Sequence, residues 1–260
     1  MSARMHATVA TGLEISVTFA LLAAIWFATA NSTSPYVPSL QTILDTFWHA
    51  WTSSANLTND LVPSVYRLLV GFALAGFFGV VIGIATGLSA VLRAMAMPVM
   101  SFVRALPAPV LVPAFLVLLG IGSEEKIGII AFVCTWPIAL NTQDGVTGLD
   151  PLTMETARSF GISRLDRFRY VLLPAISPRI FAGLRMSSSL AILMLVVAEM
   201  LGSANGVGYF AMYSAQTYDI PDMWAGVLLL GILGFALNWL LVKAESRALR
   251  WHFGRRGIEL

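Results

Sequence analysis

The sequence predicts an all-α integral membrane protein with six transmembrane helices, and three observations carry that prediction. Hydrophobic residues make up 57% of the 260 residues and charged residues only 12%, about half the charged share of an ordinary soluble domain. Mean hydropathy is +0.79, and apolar runs of the roughly 20 residues needed to cross a bilayer recur along the chain. Arg and Lys are distributed on one side: the loop around residues 150–179 and the C-terminal tail hold most of them, whereas the intervening loops on the other side hold only Lys126. The positive-inside rule then puts both termini in the cytoplasm of a cell (plasma or inner) membrane. The expected organisation is a cytoplasmic N-terminus (1–11), one transmembrane domain (12–249) and a cytoplasmic tail (250–260).

Taken in order, an apolar run from about Gly12 to Ala30 follows a short polar start. Ala28-Thr29-Ala30 looks like a signal cleavage site, but the run is long and more spans follow, which favours an uncleaved first helix. Asn31 to Asp60 is polar, lacks Lys and Arg, and reads as an outer loop with Trp48 and Trp51 as interfacial anchors. Leu61 to Leu88 is the second span. In it Ala75, Gly79, Gly83 and Gly87 recur every fourth residue, a stripe that lets another helix approach closely. Arg67, near its outer end, is expected to snorkel outward.

The third span, Met97 to Gly122, is interrupted by Pro107, Pro109 and Pro113. Met95 to Leu106 is either a surface helix or the inner half of a broken span, so Arg104 lies either at the interface or within the membrane. Gly122 to Lys126 reads as a tight outer turn, and Ile127 to Leu140 as the core of span four. Span five runs from about Ile180 to Leu201, with Arg185 near one end and Glu199 near the other. Gly202 to Asp222 is again free of Lys and Arg, with a short helix expected over Tyr209 to Thr217. Met223 to Val242 is span six.

Several kinds of chemistry have no residues to carry them. Cys134 stands alone, and His6, His49 and His252 lack metal-ligand spacing. No catalytic residues and no metal site are expected. A phosphate-binding loop needs a lysine after glycine, and the two lysines, Lys126 and Lys243, follow Glu125 and Val242. The chain is therefore expected to bind no cofactor itself. A net charge of +2 does not point to nucleic acid.

The most informative stretch is Asp150 to Pro174. Asp150 before Pro151 is a helix start, Gly161 a helix stop in the left-handed conformation, and Ser163 with Asp166 a second start. Pro174 is expected to kink or end that second helix. Glu155-x-Ala157, then Gly161, then Val171-x-Leu173-Pro174 resembles the EAA loop of binding-protein-dependent ABC importer permeases; Thr156 and Val171 depart mildly from that pattern. Arg104–Gly122 and Ala182–Tyr209 look like the branch of that family serving nitrate, taurine and alkanesulfonates, and the resemblance covers about Leu61 to Leu249.

The resemblance implies a type I ABC importer-like fold whose 150–174 loop is a coupling helix. Glu155, Ala157, Arg158, Gly161, Arg164, Arg167, Leu173 and Pro174 would then meet a cytoplasmic ABC ATPase dimer, which holds the ATP and Mg. It also implies a second permease subunit, either a second copy of this chain or a paralogue with the homodimer taken first, and an extracytoplasmic solute-binding protein. Arg104 either meets an anionic substrate or anchors an interface. Glu199 either shapes an outer gate or is hydrogen-bonded within the bundle. The competing reading is a stand-alone channel or ion-coupled carrier, which needs intramembrane acids; Glu199 is the one serious candidate.

Overall fold

The computed structural model describes residue 30 and residues 36–249. The expected first helix (12–30) and the tail (250–260) lie outside the described residues. Those described are helical, with no strand among them.

Helix α1, Leu40–Thr52, is capped by Ser39, whose hydroxyl accepts from Thr42 N–H. Its Trp51 corrects the expectation of an interfacial anchor in a polar loop. The ring is buried, edge-on to Phe210 at 5.0 Å, and its indole N–H donates to Ala225 O at 3.3 Å. Trp48 remains exposed.

Helix α2, Ser54–Leu88, and helix α5, Ser123–Thr147, pack along most of their length. The small-residue stripe makes this possible. A Cβ on Gly79 would lie 2.7 Å from Ile138 Cβ, and one on Gly83 would lie 2.5 Å from Ala139 O. Ala75 is fully buried on the same face. Helix α7, Arg164–Gly202, covers the other side of α5, and Ile129, Ile130, Ile138, Ala191, Met194 and Leu195 fill the space between them.

Between α2 and α5 the chain makes α3, Ala90–Ala105, a 3₁₀ turn at Ala108–Leu111, and α4, Val112–Leu119. The two helices meet at 97°. Pro107, Pro109 and Pro113 withhold the amides that would continue α3, so the break falls where the prolines put it. Gly122 to Lys126 is not a turn as expected: α5 already begins at Ser123, and Glu125 and Lys126 are buried inside it. Lys126 Nζ donates to Glu125 Oε2 at 2.8 Å and to Gly202 O at 2.6 Å, closing off the C-terminus of α7.

Helix α6, Pro151–Ser159, joins α5 to α7; α8, Val207–Gln216, and α9, Ile220–Ala248, complete the chain. The helix that carries span five therefore begins far earlier than Ile180, and Pro174 does not end it. The reason is a π turn, Arg167–Leu172, in which Leu173 N–H bonds back five residues to Phe168 O. The widened turn accommodates the proline ring that would otherwise strike the carbonyl four residues back. The start of α2 repeats the device: a π turn at Leu57–Leu61, Val62 N–H to Leu57 O, then Pro63. Among the described residues, three helices (α2, α7 and α9) are long and apolar enough to cross a membrane, or four spans if the bent α3–α4 pair is one.

Candidate functional site

At one end of the bundle, the chain between α5 and α7 forms a stiff, protruding helix–glycine–helix element. Asp150 accepts from Leu152 N–H at 3.0 Å and starts α6. The helix ends in two nested bonds, Gly161 N–H to Arg158 O at 2.9 Å and Ile162 N–H to Ala157 O at 3.2 Å, with Gly161 at φ +70°. This is a Schellman stop, and it needs the left-handed residue that glycine supplies without steric cost. Ser163 restarts the helix by accepting from Asp166 N–H at 3.1 Å and donating to Asp166 Oδ2 at 2.6 Å.

Local chemistry thus fixes the whole turn, yet much of what it displays is apolar. Phe160 is 80% exposed, Leu165 74% and Leu152 64%. Glu155, Arg158 and Arg164 surround them, also exposed, and Arg167 is half-buried. Ala157 is buried, and Leu173 and Pro174 are partly buried at the root of α7.

The opposite end is closed by a buried polar knot. Glu199, on α7, is fully buried. Its carboxylate accepts from Ser64 Oγ (2.7 and 2.8 Å to its two oxygens), Arg67 Nη1 at 2.8 Å and Gly208 N–H at 2.9 Å. The acid therefore sits on the first turn of α8, where free amides and the helix dipole favour negative charge. Gly206, at φ +116°, leaves the room: a Cβ there would lie 2.5 Å from the carboxylate carbon. Arg67 goes on to Asn205 Oδ1 at 2.6 Å, Asn205 O at 3.1 Å and Ser123 Oγ at 3.0 Å. Val207 N–H donates to Ser64 Oγ, and Gly206 N–H to Asp60 Oδ1. The knot ties α2, α5, α7 and α8 together.

The expectation that Arg67 snorkels outward is therefore corrected. A buried carboxylate requires a paired, hydrogen-bonded cation, and Arg67 is that cation. Arg185 is also paired, with Glu245 of α9.

A third feature lies between these ends, at the α3–α4 break. A cavity of about 280 Å³ is lined by Arg104, Leu106, Leu111, Trp136, Pro137 and Met186, among others. Arg104 and Glu199 are in separate places, and the structure brings neither to the 150–174 element.

Residues 75–249 match the family model described as the binding-protein-dependent transport system inner membrane component. The chain belongs to this family. The permease is 32% identical over 193 residues to the putative aliphatic sulfonates transport permease protein SsuC of Bacillus subtilis, covering 74% of this chain and 70% of the relative. It is 28% identical to the taurine transport system permease protein TauC of Escherichia coli (72% and 68% covered). With the nitrate import permease protein NrtB of Leptolyngbya laminosa it shares 27% identity (95% and 91% covered).

Its fold matches a solved structure of the MetNI methionine ABC transporter at TM-score 0.60 and 19% identity, over 75% of this permease and 99% of that chain. The permease is thus an inner-membrane transport subunit of an ABC transporter and not an enzyme. Sequence reasoning missed Ser64, Arg67, Asn205 and Trp136 as members of its polar features. Arg67 and Glu199 are separated by 132 residues, and no local pattern links them. A usable signal was present in Gly206-x-Gly208, whose second glycine supplies the amide on which Glu199 rests.

Proposed function

We propose that this permease forms, with a second copy of itself, the translocation path of an ATP-driven importer for a small anion of the sulfonate, taurine or nitrate type. In this reading it has six spans, counting residues 12–30, the bent α3–α4 pair and α5 with the three helices long and apolar enough on their own, and both termini are cytoplasmic. The 150–174 element docks into a separate ATPase dimer that binds ATP and Mg. A solute-binding protein delivers substrate to the Gly202–Asp222 end. ATP binding and loaded binding protein together bias an equilibrium between outward- and inward-facing states.

The observation that carries this reading is the 150–174 element. A turn capped at every terminus, yet presenting Phe160, Leu165 and Leu152 to solvent among arginines, has the form of a ridge built to be covered. Glu155, Arg158, Arg164 and Arg167 supply polar contacts around it. The substrate class rests on the names of the relatives.

Gly161→Val tests the docking. A Cβ at Gly161 meets nothing within 4 Å, so the substitution adds no clash and acts only through the positive φ, at a cost of about 1–2 kcal/mol. The variant is expected to reach the membrane at normal abundance but to lose the co-purifying ATPase and uptake. Glu155→Ala, which removes a charge and leaves the turn, should be milder. A Gly161→Val protein that keeps its ATPase and transports at the wild-type rate would sink the docking role.

A further inference from the structure

We propose that the open groove between α7 and α9 is the seat of this chain's own first apolar run, residues 12–30, packed as a helix antiparallel to α9. The proposal takes from the reading above only that residues 12–30 span the membrane. The groove holds about 330 Å³ and is walled by Ser188, Ser189 and Ile192 of α7 and by Gly231, Gly234 and Asn238 of α9, among others. At one end the two helices are tied by the Arg185–Glu245 pair. At the other, Val196 of α7 packs against the cluster that includes Leu229, Leu230 and Leu233 of α9. The groove lies between these two fastenings.

Its lining has the character of a helix seat. In α2 the glycines mark a close neighbour, since Gly79 and Gly83 admit α5. In α9 a Cβ at Gly231 would meet nothing within 4 Å, and one at Gly234 would come no nearer than 3.6 Å, to Ile192. These two glycines admit no helix among the described residues. Asn238, one turn beyond Gly234, is exposed, and its amide makes no hydrogen bond among the described residues. It stands five residues before Lys243, about 8 Å along the axis, which on the six-span topology is inside the apolar layer. An amide without a partner is costly there. Small residues and a polar side chain on one face are what a neighbouring membrane helix packs against.

The path of the chain selects the occupant. Trp224, Gly231 and Asn238 follow one another at seven-residue steps, about two helical turns, and so share one face of α9. Trp224 stands at the head of that face, and its indole N–H reaches Tyr36 O at 3.5 Å. The chain that follows residue 30 therefore arrives at the top of the groove. As a helix, residues 12–30 would run about 28 Å, enough to pass Gly231 and Asn238, which lie about 10 and 21 Å along the axis from Trp224. The segment also matches the seat. Gly12, Ser16, Ala20, Ala24 and Ala28 recur every fourth residue, which puts them on one helix face. With residue 30 level with Trp224, antiparallel packing sets Ala24 beside Gly231, Ala20 beside Gly234 and Ser16 beside Asn238. Small side chains then face glycines, and a hydroxyl faces the Asn238 amide. A second copy or a lipid chain has no such lead into the groove.

The test is disulfide formation in the full-length permease in its membrane, in a Cys134→Ser background. Two introduced cysteines join only where their Cβ atoms come within about 4 Å. Ser16→Cys with Asn238→Cys, and Ala20→Cys with Gly234→Cys, should oxidise within one chain, at monomer mass, the joined peptides being identified by mass spectrometry. Ser16→Cys with Leu240→Cys, an exposed position on the opposite face of α9, should not. Gly231→Leu should abolish the bond in both pairs by filling the seat, whereas Gly231→Ala, still small, should keep it. Bonds at dimer mass would assign the groove to a second copy, and no bond at all would assign it to lipid. Either result overturns the proposal, as do bonds that survive Gly231→Leu. Thr8→Cys separates the seat from the topology. If an impermeant thiol reagent labels it in intact cells, the six-span reading itself fails; if it stays silent and no disulfide forms, only the seat fails.

Discussion

Replacing Glu199 by leucine should be among the most damaging single changes in the bundle, and the damage should come from what it leaves behind. Leucine fills most of the same volume, so little cavity opens. Arg67, however, remains buried without its carboxylate, and Gly208 N–H loses its acceptor. Breaking a buried pair by removing one partner costs about 3–5 kcal/mol. Arg67 keeps Asn205 Oδ1, Asn205 O and Ser123 Oγ, which places the expected cost near the lower end, about 3 kcal/mol, or roughly a hundredfold in the folding equilibrium. Arg67→Met alone leaves Glu199 held by Ser64 and Gly208 but uncompensated, and should cost a similar amount.

The double variant removes the buried charge altogether. Replacing a buried pair by apolar residues is often neutral, so it should recover to within about 1–2 kcal/mol of wild type, the remainder being the unpaired Gly208 amide and Ser64 hydroxyl. Reversible unfolding of all four proteins in mixed detergent, followed by circular dichroism, gives the cycle. A double variant whose loss equals the sum of the singles to within about 0.5 kcal/mol would show no coupling, and would refute the account of the knot as one paired unit.

Two further outcomes follow from the packing and the charge distribution. Gly83→Leu should lower the unfolding free energy by about 1–3 kcal/mol, because its Cβ would lie 2.5 Å from Ala139 O; Gly231→Ala, with open space around its Cβ, should be neutral or slightly stabilising, and equal effects at both sites would refute close packing as the cause. In a Cys134→Ser background, an impermeant thiol reagent applied to intact cells should label Ser54→Cys and not Ser159→Cys, both positions being exposed; the reverse pattern would invert the topology.

What the sequence made legible follows the range of the interaction. Asp150, Gly161 and Ser163 were readable because a cap is a bond between residues two to five apart, and residue type alone specifies it. The break after Leu106 was readable because proline acts on its own turn. The identity of the partner faced by the Ala75–Gly87 stripe was not, since a stripe shows that something approaches closely but not which helix. Arg67 was misjudged because its environment is made by residues from α5, from α7 and from the segment leading into α8. Read only against its own helix it is an arginine near a span end, and snorkelling is the usual fate of such a residue. Trp51 failed for the same reason: its partners, Phe210 and Ala225, lie more than 150 residues away. Pro174 was misread for another reason, since a helix can absorb a proline by widening upstream, and nothing in the residue's identity announces that choice.

That widening sets an angle as well as admitting a proline. A π turn is an α-helix carrying one surplus residue, and each residue of an α-helix advances the azimuth by about 100°. The bearing of Phe160 and Leu165 about the α7 axis is therefore geared to a single residue between Arg167 and Leu172. Deleting one residue there would restore ordinary winding, leave the helix below intact, and swing the whole exposed ridge roughly a quarter-turn around the bundle. Chain length over six residues thus acts as the indexing tooth between the long helix and the ridge, and a one-residue indel could re-aim the ridge without altering any side chain on it.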